Sequence, residues 1–199
     1  MGDYASNAIT EALSRIALTS SLSESVDRIE DQLVDVNAHL REHAREHCEG
    51  GTIGSTVVVF LARGKVGVAL WAGDSRLYRM RDGRVEQITR DHNPVADLLE
   101  TGAVTEEEAL NTDTHIVTRA VGGQRDLHLD VAVFDLQPSD TVLLCSDGLY
   151  REVSPEFMKD ALAADVDAAA QRLMETCLSG AARDNVSLVV AHAEGAGVR

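Results

Sequence analysis

Apolar residues recur at helical spacing towards both ends of the chain and at strand spacing in its middle. Between residues 4 and 18, Ala5, Ile9, Ala12, Leu13 and Ile16 share one stripe, which predicts a helix. After a serine-rich break, Ser23 is expected to cap a second helix. Its apolar positions Val26, Ile29, Leu33, Val36 and Leu40 lie three and four apart and form one narrow seam. Gly50-Gly51 ends that helix, and the period changes to strands. Residues 55–62 and 65–72 are expected to pair around Arg63-Gly64, and 76–80 and 84–89 around Asp82-Gly83. Asn93-Pro94 reads as a helix cap followed by proline at the first helical position, and 105–108 as a capping box opening a second short helix. Strands are expected at 115–121, through the alternation of Leu127, Leu129, Val131 and Val133, and at 141–146. Residues 155–164, capped by Ser154, and 166–179 read as helices, and 186–193 as the last strand. Helices, then hairpins, then helices again predict an α+β sandwich and not a parallel doubly wound sheet. It is expected to be one domain over 1–193, followed by a tail at 194–199.

Composition narrows the function classes. Aromatic residues make up only 4% of the 199, so aliphatic packing must build the core. Eighteen Lys and Arg against 33 Asp and Glu give a formal charge of −15. That balance argues against partners bound through nucleic-acid phosphates or anionic lipid and suits the collection of divalent cations. Cys48, Cys145 and Cys177 are isolated; the last two fall on apolar positions and read as small core residues. No disulfide framework is implied, and the apolar run at 56–62 is far too short to span a bilayer. The expectation is a cytoplasmic monomer.

The chemistry begins at the strand ends. Val142 to Cys145 run straight into Ser146, Asp147 and Gly148, and the last strand opens with Asp184 and Asn185. Asp-Gly alone is a common turn. If the two strands are antiparallel neighbours, however, Asp147 and Asp184 lie at the same sheet edge. Two carboxylates ~4 Å apart repel by roughly 4 kcal/mol at an effective dielectric near 20. They need a cation between them or a shared proton, and all-oxygen ligation selects Mg²⁺ or Mn²⁺.

With these residues in view, the chain resembles the PPM family of metal-dependent protein serine/threonine phosphatases, the type 2C class. The resemblance is carried, in family order, by Gly51-Thr52-Ile53-Gly54-Ser55-Thr56, Ala72-Gly73-Asp74-Ser75-Arg76-Leu77-Tyr78 and Thr89-Arg90-Asp91-His92. It continues with Val117-Thr118-Arg119-Ala120-Val121-Gly122, Cys145-Ser146-Asp147-Gly148-Leu149 and Arg183-Asp184-Asn185-Val186-Ser187. It implies a four-layer α/β/β/α sandwich of two antiparallel sheets flanked by helix pairs. It implies Asp147 and Asp184 as ligands of one metal in a binuclear Mn²⁺ or Mg²⁺ centre, and Asp91 as helping Asp147 hold a weaker ion. The reaction implied is hydrolysis of phosphoserine or phosphothreonine on proteins by a metal-activated water, opposing a Ser/Thr kinase. Residues 93–113 correspond to a mobile flap beside the site.

One family motif, Asp-Gly-x-Gly-Gly, does not occur; the Asp-Gly pairs are Asp82-Gly83 and Asp147-Gly148. The chain is therefore expected to be N-terminally incomplete, lacking the first strands and the bridging Asp, with little turnover. The other reading is a pseudophosphatase that binds phosphoproteins without hydrolysing them. Three further features receive plain readings. His39, His43 and His47 recur every four residues, as in some zinc sites, but polar and cationic residues are ordinary in a last helical turn. Arg119 is expected to pair with a carboxylate. Gly54 and Gly73-Asp74-Ser75 read as structural, since no Lys follows Gly54 as a phosphate loop requires.

Overall fold

A computed structural model describes residues 2–105, 108, 116–180 and 184–195, and among these described residues six helices and seven strands are delimited. Helix α1 covers Gly2–Ser14 and α2 covers Leu22–His47. Strands β1 (Val57–Arg63), β2 (Val66–Ala72), β3 (Arg76–Arg81) and β4 (Arg84–Gln87) follow, then α3 (Pro94–Glu100). The rest is β5 (Asp130–Asp135), β6 (Thr141–Cys145), the single turn α4 (Asp147–Tyr150), α5 (Pro155–Leu162), α6 (Val166–Ser179) and β7 (Leu188–His192). The strands form two antiparallel sheets, ordered β1-β2-β5 and β4-β3-β6-β7, with helices flanking them. This is the α+β class that the sequence predicts.

Local chemistry fixes most boundaries. In the β3–β4 hairpin Asp82 (φ 49°) and Gly83 (φ 70°) both take the left-handed conformation, which matches the twist of the paired strands. Asn93 caps α3 by accepting the Ala96 N–H at 2.8 Å, with Pro94 next in the first helical turn. Ser154 and Asp165 cap α5 and α6 in the same way. The capping box is formed, with Glu108 accepting the Thr105 N–H and Thr105 accepting the Glu108 N–H. The helix expected beyond it lies outside the described residues, as does part of the expected flap.

Several expectations need correction. α1 stops at Ser14, not Leu18, in a tightened turn where Arg15 and Ile16 bond three residues back. Ser21, not Ser23, caps α2, because Ser21 has the extended backbone that lets its hydroxyl accept the Glu24 N–H. Residues 116–120 are not a strand; Thr118 donates to His92 O, and Val121 makes an isolated bridge to Ser55. β5 begins at Asp130 and faces the other way from the expected alternation. Val131 and Val133 are 44% and 71% exposed, whereas Phe134 lies over Gly67 and stacks on Phe60.

The chain divides into two compact units. The first comprises Met1–Val59, Leu70–Gly73 and Asp91–Val131. In it α1 packs on α2, and Ile29, Leu33, Val36 and Leu40 of the expected seam are all buried. Buried Asn37 binds the 122–125 turn, accepting the Gly122 N–H at 2.7 Å and donating to Gln124 O. Gly122 (φ 87°) approaches so closely that a Cβ there would lie 2.1 Å from Ile53 O. The second unit comprises Phe60–Ala69, Asp74–Arg90 and Ala132–Arg199. Its core joins Leu143, Cys145, Leu149, Met158, Leu162, Leu173 and Cys177, and burying each leucine contributes about 1.5–3 kcal/mol. Both Cys145 and Cys177 are core residues, and burial pushes the Cys177 thiol up. No described helix is long and apolar enough to cross a membrane.

Candidate metal centre

β6 runs antiparallel between β3 and β7, in a register that pairs Cys145 with both Arg76 and Leu188. Hydrogen bonding continues one residue past that pair. Ser146 N–H donates to Ser187 O at 3.0 Å, and the Ser146 hydroxyl accepts the Ser187 N–H at 3.0 Å and donates to Asn185 O at 3.3 Å. Asp147 then turns into α4 instead of ending the strand. Gly148 lets this turn press against the segment before β7; a Cβ there would lie 2.4 Å from Asn185 O. The turn at Asp147 and residues 185–187 therefore lie at the same end of the β6–β7 pair.

The two carboxylates have different surroundings. Asp147 is 25% exposed, with Arg151 Nε 3.4 Å from its Oδ2. Asp184 is exposed, and its Oδ1 accepts the N–H of Asn185 at 2.7 Å, which orients the side chain locally. Arg151 also approaches Asp74, Nη2 to Oδ2 at 3.9 Å. Asp74 is buried, and its carbonyl accepts the Tyr150 hydroxyl at 3.1 Å.

Asp91 belongs to the first unit, where its neighbour His92 is clamped. His92 N–H donates to Gly73 O, the Gly73 N–H donates to His92 Nδ1 at 3.0 Å, and Thr118 N–H donates to His92 O. Because Nδ1 accepts, Nε2 carries the proton and donates to Asp130 Oδ2 at 3.1 Å. Arg119 meets the expected carboxylate here, 2.7 Å from Asp130 Oδ1. Burial would raise the Asp130 carboxyl, but the His92 hydrogen bond and Arg119 outweigh it and hold it below the ordinary range. Asp91 itself is half-buried, with the Asn93 amide 3.4 Å from its Oδ2.

In donor chemistry these aspartates suit a hard divalent ion. In number they fall short: among the described residues no group of three or more His, Cys, Asp or Glu is arranged to hold a metal. His39, His43 and His47 do share one face of α2. The Tyr4 ring stacks on His43 at 4.4 Å, the Tyr4 hydroxyl hydrogen-bonds His39 Nε2, and His47 stacks on His43 at 4.2 Å. Sequence reasoning missed Arg151, Asp130 and the buried placement of Asp74; the spacing of four between Asp147 and Arg151 was the one available signal.

A model of the family described as Protein phosphatase 2C matches residues 2–197. The chain belongs to the protein phosphatase 2C family. It is 37% identical over 141 residues to the serine/threonine protein phosphatase PstP of Mycobacterium tuberculosis. That match covers 70% of this chain and spans only 27% of the relative's length. Among solved structures, PppA, a key regulatory component of T6SS in Pseudomonas aeruginosa, superposes with a TM-score of 0.85 at 37% identity, covering 96% of this chain and 80% of that one. The catalytic domain of PstP in complex with two manganese ions superposes with a TM-score of 0.84 at 30% identity, over 97% and 82% of the two chains. The phosphatase 2C membership and the α+β fold thus agree with the resemblance carried by the six sequence motifs.

Proposed function

We propose that this chain is the phosphatase domain, over residues 1–193, of a metal-dependent protein serine/threonine phosphatase that hydrolyses phosphoserine and phosphothreonine on proteins. Asp147 and Asp184 would hold one Mn²⁺ or Mg²⁺, and Asp91 would help Asp147 hold a further, weaker ion. The observation that supports the reading is the hydrogen-bonded closure of β6 onto residues 185–187, next in sequence to Asp184, in a phosphatase 2C chain. A manganese complex of a relative at 30% identity supports the choice of ion. Bound divalent ions supply charge neutralisation at phosphorus and a water activated near neutral pH. The residues of this chain contribute the carboxylates and their orientation: Ser146 and Gly148 fix the turn that carries Asp147, and the Asn185 N–H fixes Asp184. We place the protein in the cytoplasm, as a monomer opposing a Ser/Thr kinase.

The 199 residues contain no Asp-Gly-x-Gly-Gly, and three ligands are not gathered in the described part. We therefore expect feeble divalent binding and little turnover from this chain alone. The same observation favours a second reading, a phosphoprotein-binding module without turnover. Phosphate release from a phosphothreonine peptide in Mn²⁺ separates the two, measured on this chain and on a longer version carrying such a motif. The enzyme reading expects release by the longer version, lost in Asp184→Asn. Peptide binding without release by a folded longer version would sink it in favour of the binder.

A further inference from the structure

Both backbone groups and both ring nitrogens of His92 are hydrogen-bonded. Its N–H donates to Gly73 O at 2.9 Å, and its carbonyl accepts the Thr118 N–H at 2.8 Å. Its ring accepts the Gly73 N–H at Nδ1, 3.0 Å away, and donates from Nε2 to Asp130 Oδ2 at 3.1 Å. His92 is 5% exposed, and its ring stacks on Trp71 with centroids 6.1 Å apart. Arg119 Nη1 lies 3.4 Å from Nε2, but both groups are donors and they meet on the same carboxylate. Gly73 has little room to follow a different ring. At φ 122° it packs so closely that a Cβ would lie 2.3 Å from Thr56 Cγ2.

We propose that His92 is a positioning residue: locked as its Nε2–H tautomer between Gly73 and Asp130, it sets the direction of the Asp91 carboxylate. What that carboxylate then does rests on the function proposed above. The bond to Gly73 O is made by the peptide that joins Asp91 to His92, and the bond from Thr118 by the peptide that joins His92 to Asn93. Both peptide planes are therefore fixed, which leaves Asp91 its side-chain torsions. Asn93 acts on those. As the cap of α3 it is held by the Ala96 N–H, and its amide lies 3.4 Å from Asp91 Oδ2. The ring keeps the two planes in place. In the other tautomer an Nδ1–H would face the Gly73 N–H, and a bare Nε2 would face Asp130. Without the ring, the buried Gly73 N–H loses its acceptor. Asp130, distant in sequence, thus acts on Asp91 through one imidazole.

The experiment is NMR on the full chain without added metal, for wild type, His92→Asn, His92→Gln and Asp130→Ala. In the wild type the His92 ring should show Nδ1 as an acceptor nitrogen and Nε2 as a protonated one, and the Asp91 side chain should hold one rotamer. Asn places its carbonyl oxygen where Nδ1 stands and can take the Gly73 N–H. Gln reaches towards Asp130 and leaves Gly73 without an acceptor. Exchange of the Gly73 amide should therefore quicken roughly tenfold in His92→Gln, the worth of one hydrogen bond, and stay nearer wild type in His92→Asn. Asp130→Ala, at a half-exposed position, should keep the fold yet average the Asp91 rotamer. A wild-type ring protonated at Nδ1 overturns the inference. So does a single Asp91 rotamer kept in folded Asp130→Ala and His92→Gln. Mn²⁺ added afterwards separates this result from the metal reading. Asp91 signals that stay sharp while Asp147 and Asp184 broaden would leave the clamp intact and take Asp91 out of the proposed ligand set.

Discussion

Asp140→Ala should lower the unfolding free energy by about 3 kcal/mol, the low end of the cost of stranding a partner of a buried pair. The Asp140 side chain is fully buried. It accepts Arg81 Nε at 2.7 Å and Nη2 at 2.6 Å, together with the Gln137 N–H at 2.8 Å. Removing it leaves an amide without its acceptor and a guanidinium whose remaining partner is Asp135, 2.8 Å away. That second carboxylate, and the part of Arg81 still in water, keep the cost from rising further. Against a usual margin of about 5–15 kcal/mol the loss is large. It should also depend on pH. Burial would raise the Asp140 carboxyl, but the Arg81 hydrogen bonds and the Gln137 amide outweigh it and leave the group below its ordinary range. A depressed carboxyl stabilises the fold above the unfolded value, ~3.9, and loses that contribution as pH falls through the folded value. Urea titrations of wild type and Asp140→Asn should therefore differ at pH 7 and converge under strong acid. A difference that stays constant with pH would show that Asp140 acts through packing alone.

Asp147→Asn should reduce Mn²⁺ affinity on the order of 100-fold or more, since even residues one shell removed from a metal cost 10–100-fold. The fold should survive, because Asn keeps the size of the side chain and the turn into α4 is made by the Ser146 N–H and hydroxyl bonds to Ser187 and by Gly148. The two effects separate in a melting experiment. A ligand that binds only the folded state raises its stability, so Mn²⁺ should raise the wild-type melting temperature and a chelator should reverse the rise. Neither addition should move the variant. An equal Mn²⁺ shift in both proteins would place the ion elsewhere on this acidic surface.

How far the sequence carried these conclusions depended on where the information lay. The β3–β4 turn was legible because Asp82-Gly83 is a local demand for two left-handed residues, and the α2 seam because Leu33 and Leu40 repeat with the helix. Strand facing was harder. Alternation at Val131 and Val133 specifies two faces without saying which is covered, and Phe134 closing over Gly67 decided it. Residues 116–120 look like a strand by composition, yet tertiary hydrogen bonds such as Thr118 to His92 hold them in an irregular path. The expectation that brings Asp147 and Asp184 to one sheet end needs β6 and β7 to be antiparallel neighbours, and they are. Asp74 beside Arg151, and Asp130 beside His92, depend on contacts between distant segments and left no local pattern to read.

The most direct measurement of the central claim is the pattern of amide-signal broadening by Mn²⁺ in an NMR titration, because a paramagnetic ion erases the signals nearest to it first. Loss beginning at Ser146–Gly148 and Asp184–Ser187 is the expected result, with Asp147→Asn abolishing that order. Broadening that starts along His39–His47, or spreads evenly over the acidic surface, would contradict a metal site at the β6–β7 end.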